Sequence, residues 1–182
     1  MLSLTYLFEI LDFPHSRQSN IYNCGPSAVQ TILQYYGIDM REGEIARELG
    51  TNTSGTNPNP IEKFLKSKGL KIISNTMNQN DLKKYTDQNC PILILIQAWS
   101  EKKKIDYKND YSSGHYVVVI GYDSSGFIFE DPSLNNTKGH ISFNELDSRW
   151  HALSEYNKKI EHWGCVVIGV PKFQSNTIKK IL

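Results

Sequence analysis

The first half of the chain carries apolar residues at helical spacing. Positions i, i+3, i+4 and i+7 of one stretch are occupied by Val29, Ile32, Leu33 and Tyr36. This single apolar stripe predicts an amphipathic helix over residues 24–36. Asn23 is a suitable N-cap, Pro26 is tolerated in the first turn, and Gly37 is suited to end the helix.

Two further helices are predicted downstream. One covers residues 41–49 and stops at Gly50. The stretch TNTSGTNPNP (51–60) is rich in turn-forming residues and predicts a loop. A third helix is then expected from about residue 61 to residue 69, with Ile61, Phe64 and Leu65 on its buried face.

The second half has strand-like patterns instead. PILILIQ (91–97) and HYVVVIGY (115–122) are short apolar runs typical of buried strands. The turn DSSG joins HYVVVIGY to FIFE (127–130), so these two segments predict a hairpin. Further predictions are a short strand at 140–142, a helix capped by Ser142 and Glu145 and running to Trp150, and a last strand over 165–170.

Because helices come first and strands follow, the order predicts an α+β fold, with N-terminal helices packed on an antiparallel sheet. The length of 182 residues fits one domain, 1–182, with a core of about residues 11–172. Hydrophobic residues make up 39%, charged residues 21%, and the formal net charge is +1. These values fit an ordinary globular protein and give no indication of a nucleic-acid or membrane partner.

Three features bear on the compartment and on cofactors. No apolar run reaches the roughly 18–20 residues that span a bilayer, and the N-terminal MLSLTYLFEILDF lacks the basic start and cleavage site of a signal peptide. The three cysteines are odd in number and widely spread, which favours a reducing, cytoplasmic location, with a secreted effector as the alternative. No CxxC pair or His/Cys cluster indicates zinc, and no cofactor is expected.

Cys24 stands at the first turn of the predicted 24–36 helix. The helix dipole and free backbone amides at that end favour the thiolate, which is the nucleophilic form of cysteine. A small buried residue at a crowded turn would explain the same position. Gln18 lies six residues earlier, and its side-chain amide together with the Cys24 backbone N–H can form an oxyanion hole. By itself, Gln18 would equally fit a solvated loop.

Among the five histidines, His115 is the one that opens a buried strand, where a general base is held rigidly. A satisfied core histidine is the plainer explanation. Asp131 follows the FIFE strand, and the hairpin should return it beside the start of the strand that His115 opens. A carboxylate there can orient the imidazole, although Asp-Pro is also a common turn opener.

These residues together resemble the C39 family of papain-like cysteine peptidases. The segment QSNIYNCGPSA (18–28) looks like the active-site segment of that family, and GHYVVV (114–119) and Asp131-Pro132 resemble its histidine and aspartate motifs, in the same order. The loop around residues 55–57 and the segment 143–150 are also similar. The resemblance covers about residues 11–170.

The resemblance implies a papain-like fold with Cys24 as nucleophile, His115 as base, Asp131 as orienting acid and Gln18 as oxyanion donor. It implies a peptide or protein substrate. The transporter-fused members that cleave after double glycine carry membrane spans and an ATPase, which this sequence does not show, so the chain looks more like the stand-alone C39-like group. Two alternatives stay open. The same thioester can serve a transpeptidase or phytochelatin-synthase-like transferase, and a degenerate domain of this type can dock peptides without catalysis.

The polar segment 99–113 precedes His115 and is expected as a loop over the cleft. Lys102, Lys103 and Lys104 are candidates for contact with an acidic substrate, although a charge run is more often a solvated surface. C39 relatives accept glycine or other small residues before the cut. The wall that imposes this preference is expected from this loop, with Trp99 and Tyr111 as its bulky candidates, and from the Gly-rich surroundings of the helix that begins at Cys24.

Overall fold

The computed structural model describes residues 10–154, 157–178 and 180. Most of the N-terminal segment 1–13 that bears on the signal-peptide prediction lies outside the described residues. The helices are α1 (Cys24–Tyr35), α2 (Glu42–Glu48), α3 (Pro58–Ser67), α4 (Gln79–Thr86) and α5 (Phe143–Arg149). The strands are β1 (Lys71–Thr76), β2 (Ile92–Gln97), β3 (Gly114–Tyr122), β4 (Gly126–Glu130), β5 (Gly139–Ser142), β6 (His151–Leu153), β7 (Lys159–Glu161) and β8 (Trp163–Ile168).

Six of these strands form one antiparallel sheet in the order β1-β8-β2-β3-β4-β5, and β6 pairs with β7 in a separate two-stranded sheet. The predicted hairpin is β3–β4, with Val118 opposite Glu130. The α+β class with N-terminal helices and an antiparallel sheet is therefore confirmed. The sheet has more strands than predicted, because β1, which comes from the first half of the chain, pairs with β8 at its edge.

The two faces of the sheet carry separate cores. Leu93 and Leu95 of β2 face the core formed with α1, α2 and α3, whereas Ile92, Ile94 and Ile96 face the other core. Burial on both faces explains why β2 reads as a continuous apolar run rather than an alternating one. β3 is likewise buried over nearly its whole length. The two strands are thus fixed on both sides, and they carry the site.

Helix α1 packs against β3 and is nearly all buried. It begins at Cys24 as predicted, and Gly37 follows its C-cap in the left-handed region at φ 76°. Asn23 occupies the N-cap position without a side-chain cap bond, and its side-chain amide nitrogen donates to Ser19 Oγ at 3.1 Å. The end of the helix that holds Cys24 therefore keeps its first backbone amides free of a side-chain cap.

The start predicted for the third helix is wrong by three residues. α3 begins at Pro58 and runs through Pro60 to Ser67. Proline is tolerated in the first turn because the amides there have no partner within the helix, so the turn-rich segment 51–60 ends earlier than expected. The last strand, predicted over 165–170, lies at Trp163–Ile168.

Candidate active site

Cys24 is the first residue of α1, and it is buried at 7% exposure. Its sulfur is in hydrogen-bonding contact with the backbone amides of Gly25 and Tyr116 and with the side chain of His115. One amide belongs to the helix N-terminus and the other to β3, so the sulfur lies where helix and sheet meet. Both kinds of donor favour a thiolate.

The surroundings of Cys24 are crowded on the side of α3. A Cβ atom at Gly25 would lie 2.9 Å from Thr56 Oγ1 and 3.3 Å from the ring of Tyr116, so a side chain does not fit at position 25. The Tyr116 hydroxyl donates to the Thr56 carbonyl oxygen at 2.9 Å. This bond holds the loop before α3 against β3.

His115 is the second residue of β3, and it lies opposite Ile96 of the buried strand β2. It is 5% exposed. Its Nε2 lies 2.7 Å from Asp131 Oδ1, and its side chain also hydrogen-bonds Cys24. With Nε2 paired to the carboxylate, Nδ1 is the nitrogen left for the sulfur. The structure therefore places Cys24, His115 and Asp131 in one line of contacts.

The three groups change one another's pKa. Burial by itself would raise the pKa of the Cys24 thiol, but the hydrogen bond and positive charge of His115 outweigh it, and the pKa is lowered. Burial by itself would lower the pKa of His115, but the contacts with Asp131 and Cys24 raise it to about 9. At neutral pH the arrangement therefore favours a thiolate paired with an imidazolium.

Asp131 follows β4 and opens a turn. Burial would raise the pKa of its carboxyl group, but the hydrogen bond and charge of His115, the Ser133 amide and the Trp99 indole together lower it. The Ser133 N–H donates to Oδ1 at 2.8 Å, and the Trp99 Nε1–H donates to Oδ2 at 2.9 Å. A buried carboxylate with this set of donors stays ionised and accepts from His115 without taking its proton.

Gln18 lies on the loop that leads to Cys24. Its amide nitrogen donates to the Asn20 carbonyl oxygen at 2.8 Å, and its Oε1 accepts from Ser133 Oγ at 3.2 Å. The Gln18 backbone N–H donates to the Pro132 carbonyl at 3.0 Å. These bonds tie Gln18 to the turn after Asp131, and one of its two amide hydrogens remains for an incoming oxyanion. Its role as the oxyanion donor stays a prediction.

A buried cluster beside this turn was not predicted. Glu130, fully buried, has His15 Nδ1 at 2.5 Å from Oε1 and Lys138 Nζ at 2.5 Å from Oε2. Lys138 also lies 3.5 Å from the Phe13 carbonyl oxygen. These hydrogen bonds link the N-terminal segment to β4 and to the residues after it, next to the backbone that carries Asp131.

The other two cysteines lie in apolar surroundings away from this contact line. All three thiols are free. Burial raises the pKa of Cys165 to about 12 and also raises that of Cys90, so both stay protonated. A cysteine in such a setting is inert. Within the described residues, no group of three or more His, Cys, Asp or Glu side chains is arranged to hold a metal ion.

The 99–113 segment is held by its side chains. Lys102 Nζ lies 2.7 Å from Asp110 Oδ1, so the first lysine of the run is paired within the segment itself. Arg149 of α5 lies over the Tyr107 ring, and the Tyr111 ring packs against His151 at 4.4 Å between centroids. Tyr111 therefore contacts β6, and Trp99 contacts Asp131. Lys103 and Lys104 are exposed.

Sequence reasoning missed four contributors to the site: the Tyr116 amide, Thr56, Ser133 and the Trp99 indole. Only Ser133 had a readable signal, because an Asp-Pro-Ser turn often bonds the Asp side chain to the amide two residues later. Trp99 was expected as a wall of the substrate pocket, and its bond to Asp131 depends on a tertiary contact that spacing does not reveal.

Comparison with known proteins gives a family and a fold. The sequence profile described as the Peptidase_C39 like family matches residues 10–158. A protein of Methanothermobacter thermautotrophicus, described as uncharacterized, is 30% identical over 117 residues, which are 64% of this chain and 70% of that protein. None of the helices in the described part of the chain is long and apolar enough to cross a membrane.

Two solved structures share the fold. A C39-like peptidase from Bacillus anthracis, described as putative, superposes with a TM-score of 0.69 at 16% identity, covering 91% of this chain and 99% of its own. A double glycine motif protease from an AMS/PCAT transporter, solved in complex with its leader peptide, gives a TM-score of 0.61 at 16% identity, covering 87% of this chain and 92% of its own. At these identities the likeness concerns the fold.

Proposed function

The chain belongs to the Peptidase_C39 like family, and from that premise we propose that it is a cysteine peptidase that hydrolyses peptide bonds through a thioester on Cys24. The observation that carries the proposal is the contact line from the Cys24 sulfur through His115 to Asp131. A structural cysteine needs neither a lowered pKa nor a buried histidine held in a fixed tautomer.

The pKa directions assign the proton before the reaction begins. With Cys24 as thiolate and His115 as imidazolium, the sulfur attacks the scissile carbonyl carbon without first losing a proton. His115 then donates its Nδ1 proton to the leaving amine as the carbon–nitrogen bond breaks. It acts as a general acid in this step and as the general base in the next.

Hydrolysis of the thioester completes the cycle. Neutral His115 takes a proton from water, the hydroxide attacks the acyl carbon, and the carbon–sulfur bond breaks to return the thiolate. Asp131 holds the imidazole in the required tautomer throughout. The oxyanion that forms in both steps is assigned to the Cys24 backbone N–H, one of the first amides of α1, and to the free hydrogen of the Gln18 amide.

We further propose a preference for Gly, Ala or Ser on the acyl side of the cut. The supporting observation is the crowding of Thr56 and Tyr116 against Gly25, the residue that follows the nucleophile. We expect this crowding to leave little room for a bulky side chain on the acyl residue. The double glycine motif protease that shares this fold was solved in complex with its leader peptide, which supports a peptide as the class of substrate.

The test is cleavage of a peptide library followed by mass spectrometry of the products. We expect cleavage after small residues by the wild-type protein and by Cys90→Ala, which removes a buried thiol that is not part of the contact line. Cys24→Ala should show none. Cleavage by a pure Cys24→Ala sample would overturn the mechanism, and cleavage mainly after large aliphatic or basic residues would overturn the specificity.

A competing nucleophile distinguishes the two fates of the thioester. With hydroxylamine added to the same reaction, a hydrolase gives mainly the free acid at low amine concentration, whereas an acyl transferase gives the hydroxamate from the start. A dominant hydroxamate at low amine would replace hydrolysis with acyl transfer and leave the contact line in place.

A further inference from the structure

Trp99 has an unfavourable backbone conformation in an exposed position. Its φ is 57°, in the left-handed region, and its side chain is 55% exposed. A bulky non-glycine residue in that region is uncommon because its Cβ crowds the backbone. The surrounding segment fixes this conformation, since the Ala98 amide just before it donates to the Ser113 carbonyl at 3.0 Å. Conformations of this kind concentrate at functional sites.

The indole of Trp99 makes one polar contact, and this contact is to Asp131. Its Nε1–H donates to Oδ2 at 2.9 Å, whereas His115 and the Ser133 amide both bond to Oδ1. The carboxylate is therefore held at both oxygens. With bonds to Oδ1 alone, the carboxylate could turn about its Cβ–Cγ bond and still keep one partner.

A cavity of about 520 Å³ borders the same carboxylate. Trp99 and Asp131 both line it, together with apolar side chains that include Phe129 and Leu134. A cavity of this volume admits several water molecules. Water bound to Oδ2 would draw the Asp131 carboxylate away from the orientation that His115 needs. The indole N–H occupies the hydrogen-bonding position at Oδ2 that such a water would take.

From the bond to Oδ2, the left-handed backbone and the adjoining cavity, we propose that Trp99 is a positioning residue that locks the Asp131 carboxylate in the plane required by His115 and shields it from water. The proposal rests on the proposed function, because it assigns Trp99 to the same contact line. Trp99 does not touch the substrate in this role. It acts through Asp131 on His115, and through His115 on the charge of Cys24.

Loss of the indole N–H has a defined consequence. The carboxylate turns toward water in the cavity, and His115 loses its partner for part of the time. The pKa of His115 then falls from about 9 toward the usual value for imidazole. The Cys24 thiolate loses part of the positive charge that stabilises it, so the pKa of Cys24 rises.

A purely structural role makes a different prediction for the same residue. If Trp99 only packs the loop, its replacement changes stability and leaves the titration of His115 unaltered. Glycine at position 99 separates the two explanations, because glycine adopts a left-handed φ without strain. We expect Trp99→Gly to keep or raise the melting temperature and yet lower the pKa of His115.

The experiment uses Trp99→Phe, which keeps a ring but removes the donor, and Trp99→Gly. NMR titration gives the pKa of His115, and the pH dependence of iodoacetamide labelling gives that of Cys24. Both variants should lower the pKa of His115 by roughly one and raise the pKa of Cys24. Their kcat should be three- to tenfold lower at a nearly unchanged KM. Trp150→Phe is the matched control, because its indole donates to the Trp163 carbonyl and not to Asp131. It should lower stability without moving either titration.

An unchanged His115 titration in both Trp99 variants would overturn the proposal, as would equal shifts in Trp150→Phe. Neither readout depends on peptide cleavage. If the wild-type protein cleaves no peptide but the titrations shift as stated, the proposed peptidase function fails and the role of Trp99 stands. If the wild-type protein cleaves peptides but the titrations do not shift in the Trp99 variants, the peptidase function stands and the role of Trp99 fails.

Discussion

The two sides of His115 are built in different ways. On the Cys24 side, a buried helix end meets a buried strand, and the sulfur is fixed by backbone amides of both. On the Asp131 side, the 99–113 segment is held by side chains, with the Trp99 indole on the carboxylate, Lys102 paired to Asp110 and Arg149 over the Tyr107 ring. One side is positioned by secondary structure and the other by individual tethers.

The two sides therefore differ in the free energy needed to displace their residues. Moving Cys24 or His115 would require α1 or β3 to shift within a close-packed core, which tolerates little displacement. Moving the segment 99–113 requires only the loss of a few partly exposed polar contacts, and such contacts contribute little each. We therefore expect changes on the Cys24 side to act on the chemical step, and changes on the loop side to act on binding and on fine positioning.

The largest effect is expected from Cys24→Ala and His115→Ala. Each should lower kcat/KM by about 10⁴-fold or more, because each removes one half of the ion pair. The double variant should be no worse than either single one, since the two residues act as a unit. Steady-state kinetics with the best library peptide measures all three. Additive losses in the double variant would show that Cys24 and His115 act separately.

Cys90→Ser and Cys165→Ser serve as controls for this comparison. Both thiols are buried outside the contact line, and burial keeps them protonated. They should lower the free energy of unfolding by about 1–3 kcal/mol, since a hydroxyl is placed in apolar surroundings. Activity per folded molecule should stay at the wild-type level, measured after correction for the folded fraction by circular dichroism.

The contrast also explains which features could be predicted from the sequence. Cys24 and His115 belong to elements whose pattern is strong, a helix with a clear apolar stripe and a strand buried on both faces. Asp131 is predicted from the hairpin, but the return beside the start of β3 is not made by strand pairing: β4 ends at Glu130 opposite Val118, and Asp131 reaches His115 from the turn that follows. Trp99 and Thr56 reach the site through tertiary contacts of loops. Loop contacts have no period, so spacing along the chain cannot reveal them.

The unpredicted elements are weakly buried or very short. β1 is an edge strand with partly or fully exposed residues, and α4 buries only Leu82 and Thr86. β6 and β7 have three residues each, too few for a periodic pattern. One local signal was present, since the Asn78 side chain caps α4 by accepting from the amides of Asn80 and Asp81.

Gln18→Ala should have the next largest effect. Removal of one oxyanion donor lowers kcat by about 10²–10³-fold, because that bond strengthens only as charge develops on the oxygen. Ser133→Ala is a useful control, since it removes the hydroxyl that donates to Gln18 Oε1 and keeps the backbone N–H that bonds to Asp131. Ser133→Ala should lower kcat far less than Gln18→Ala does. Wild-type kcat in Gln18→Ala would remove Gln18 from the mechanism and leave the triad in place.

Asp131→Asn should lower kcat less than His115→Ala does, because it removes orientation and charge but leaves the proton carrier. Without the carboxylate, the pKa of His115 should fall from about 9. NMR titration of His115 in Asp131→Asn measures this fall, and wild-type protein gives the reference. A loss of kcat equal to that of His115→Ala would show that Asp131 does more than orient the imidazole.

The pH dependence follows from the pKa directions. The active form needs Cys24 deprotonated and His115 protonated. Activity should rise through the pKa of Cys24, which lies below that of an ordinary thiol, and fall as pH passes about 9, the pKa of His115. The plateau should therefore include neutral pH. An activity that only begins to rise near pH 8.5, as for a free thiol, would contradict the ion pair.

The pH dependence of stability has a different form. His115, with its raised pKa, stabilises the folded state fully below the unfolded value of about 6.5, and this contribution is lost as pH rises through about 9. Cys24, with its lowered pKa, contributes in the opposite sense, and its contribution is lost as pH falls. In the folded protein the thiolate–imidazolium pair holds one proton, on His115. In the unfolded chain between the two free pKa values, the neutral thiol and the neutral imidazole also hold one proton, on Cys24. Urea unfolding near pH 7–8 should therefore show a nearly flat free energy.

The smallest effect is expected on the loop side, from Asp110→Asn. Asp110 is buried and accepts from Lys102 Nζ at 2.7 Å, from Ser112 and from Ser113, and Lys102 in particular holds the pKa of its carboxyl group far below the usual range. An amide keeps the shape but loses the charge. The segment 99–113 should then open more often, with faster hydrogen exchange of its amides. KM should rise two- to fivefold while kcat and the His115 titration stay constant.

The matched control is Asp106→Asn in the same segment. Among the described residues, the Asp106 carboxylate accepts from Lys108 and Asn109 of its own turn, so the change should alter neither KM nor hydrogen exchange elsewhere in the loop. A drop in kcat for Asp110→Asn would show that the Asp110–Lys102 tether is coupled to the contact line. In that case, the charged tether would act through Trp99, the residue of this segment that bonds to Asp131, and the division between the two sides of His115 would no longer hold.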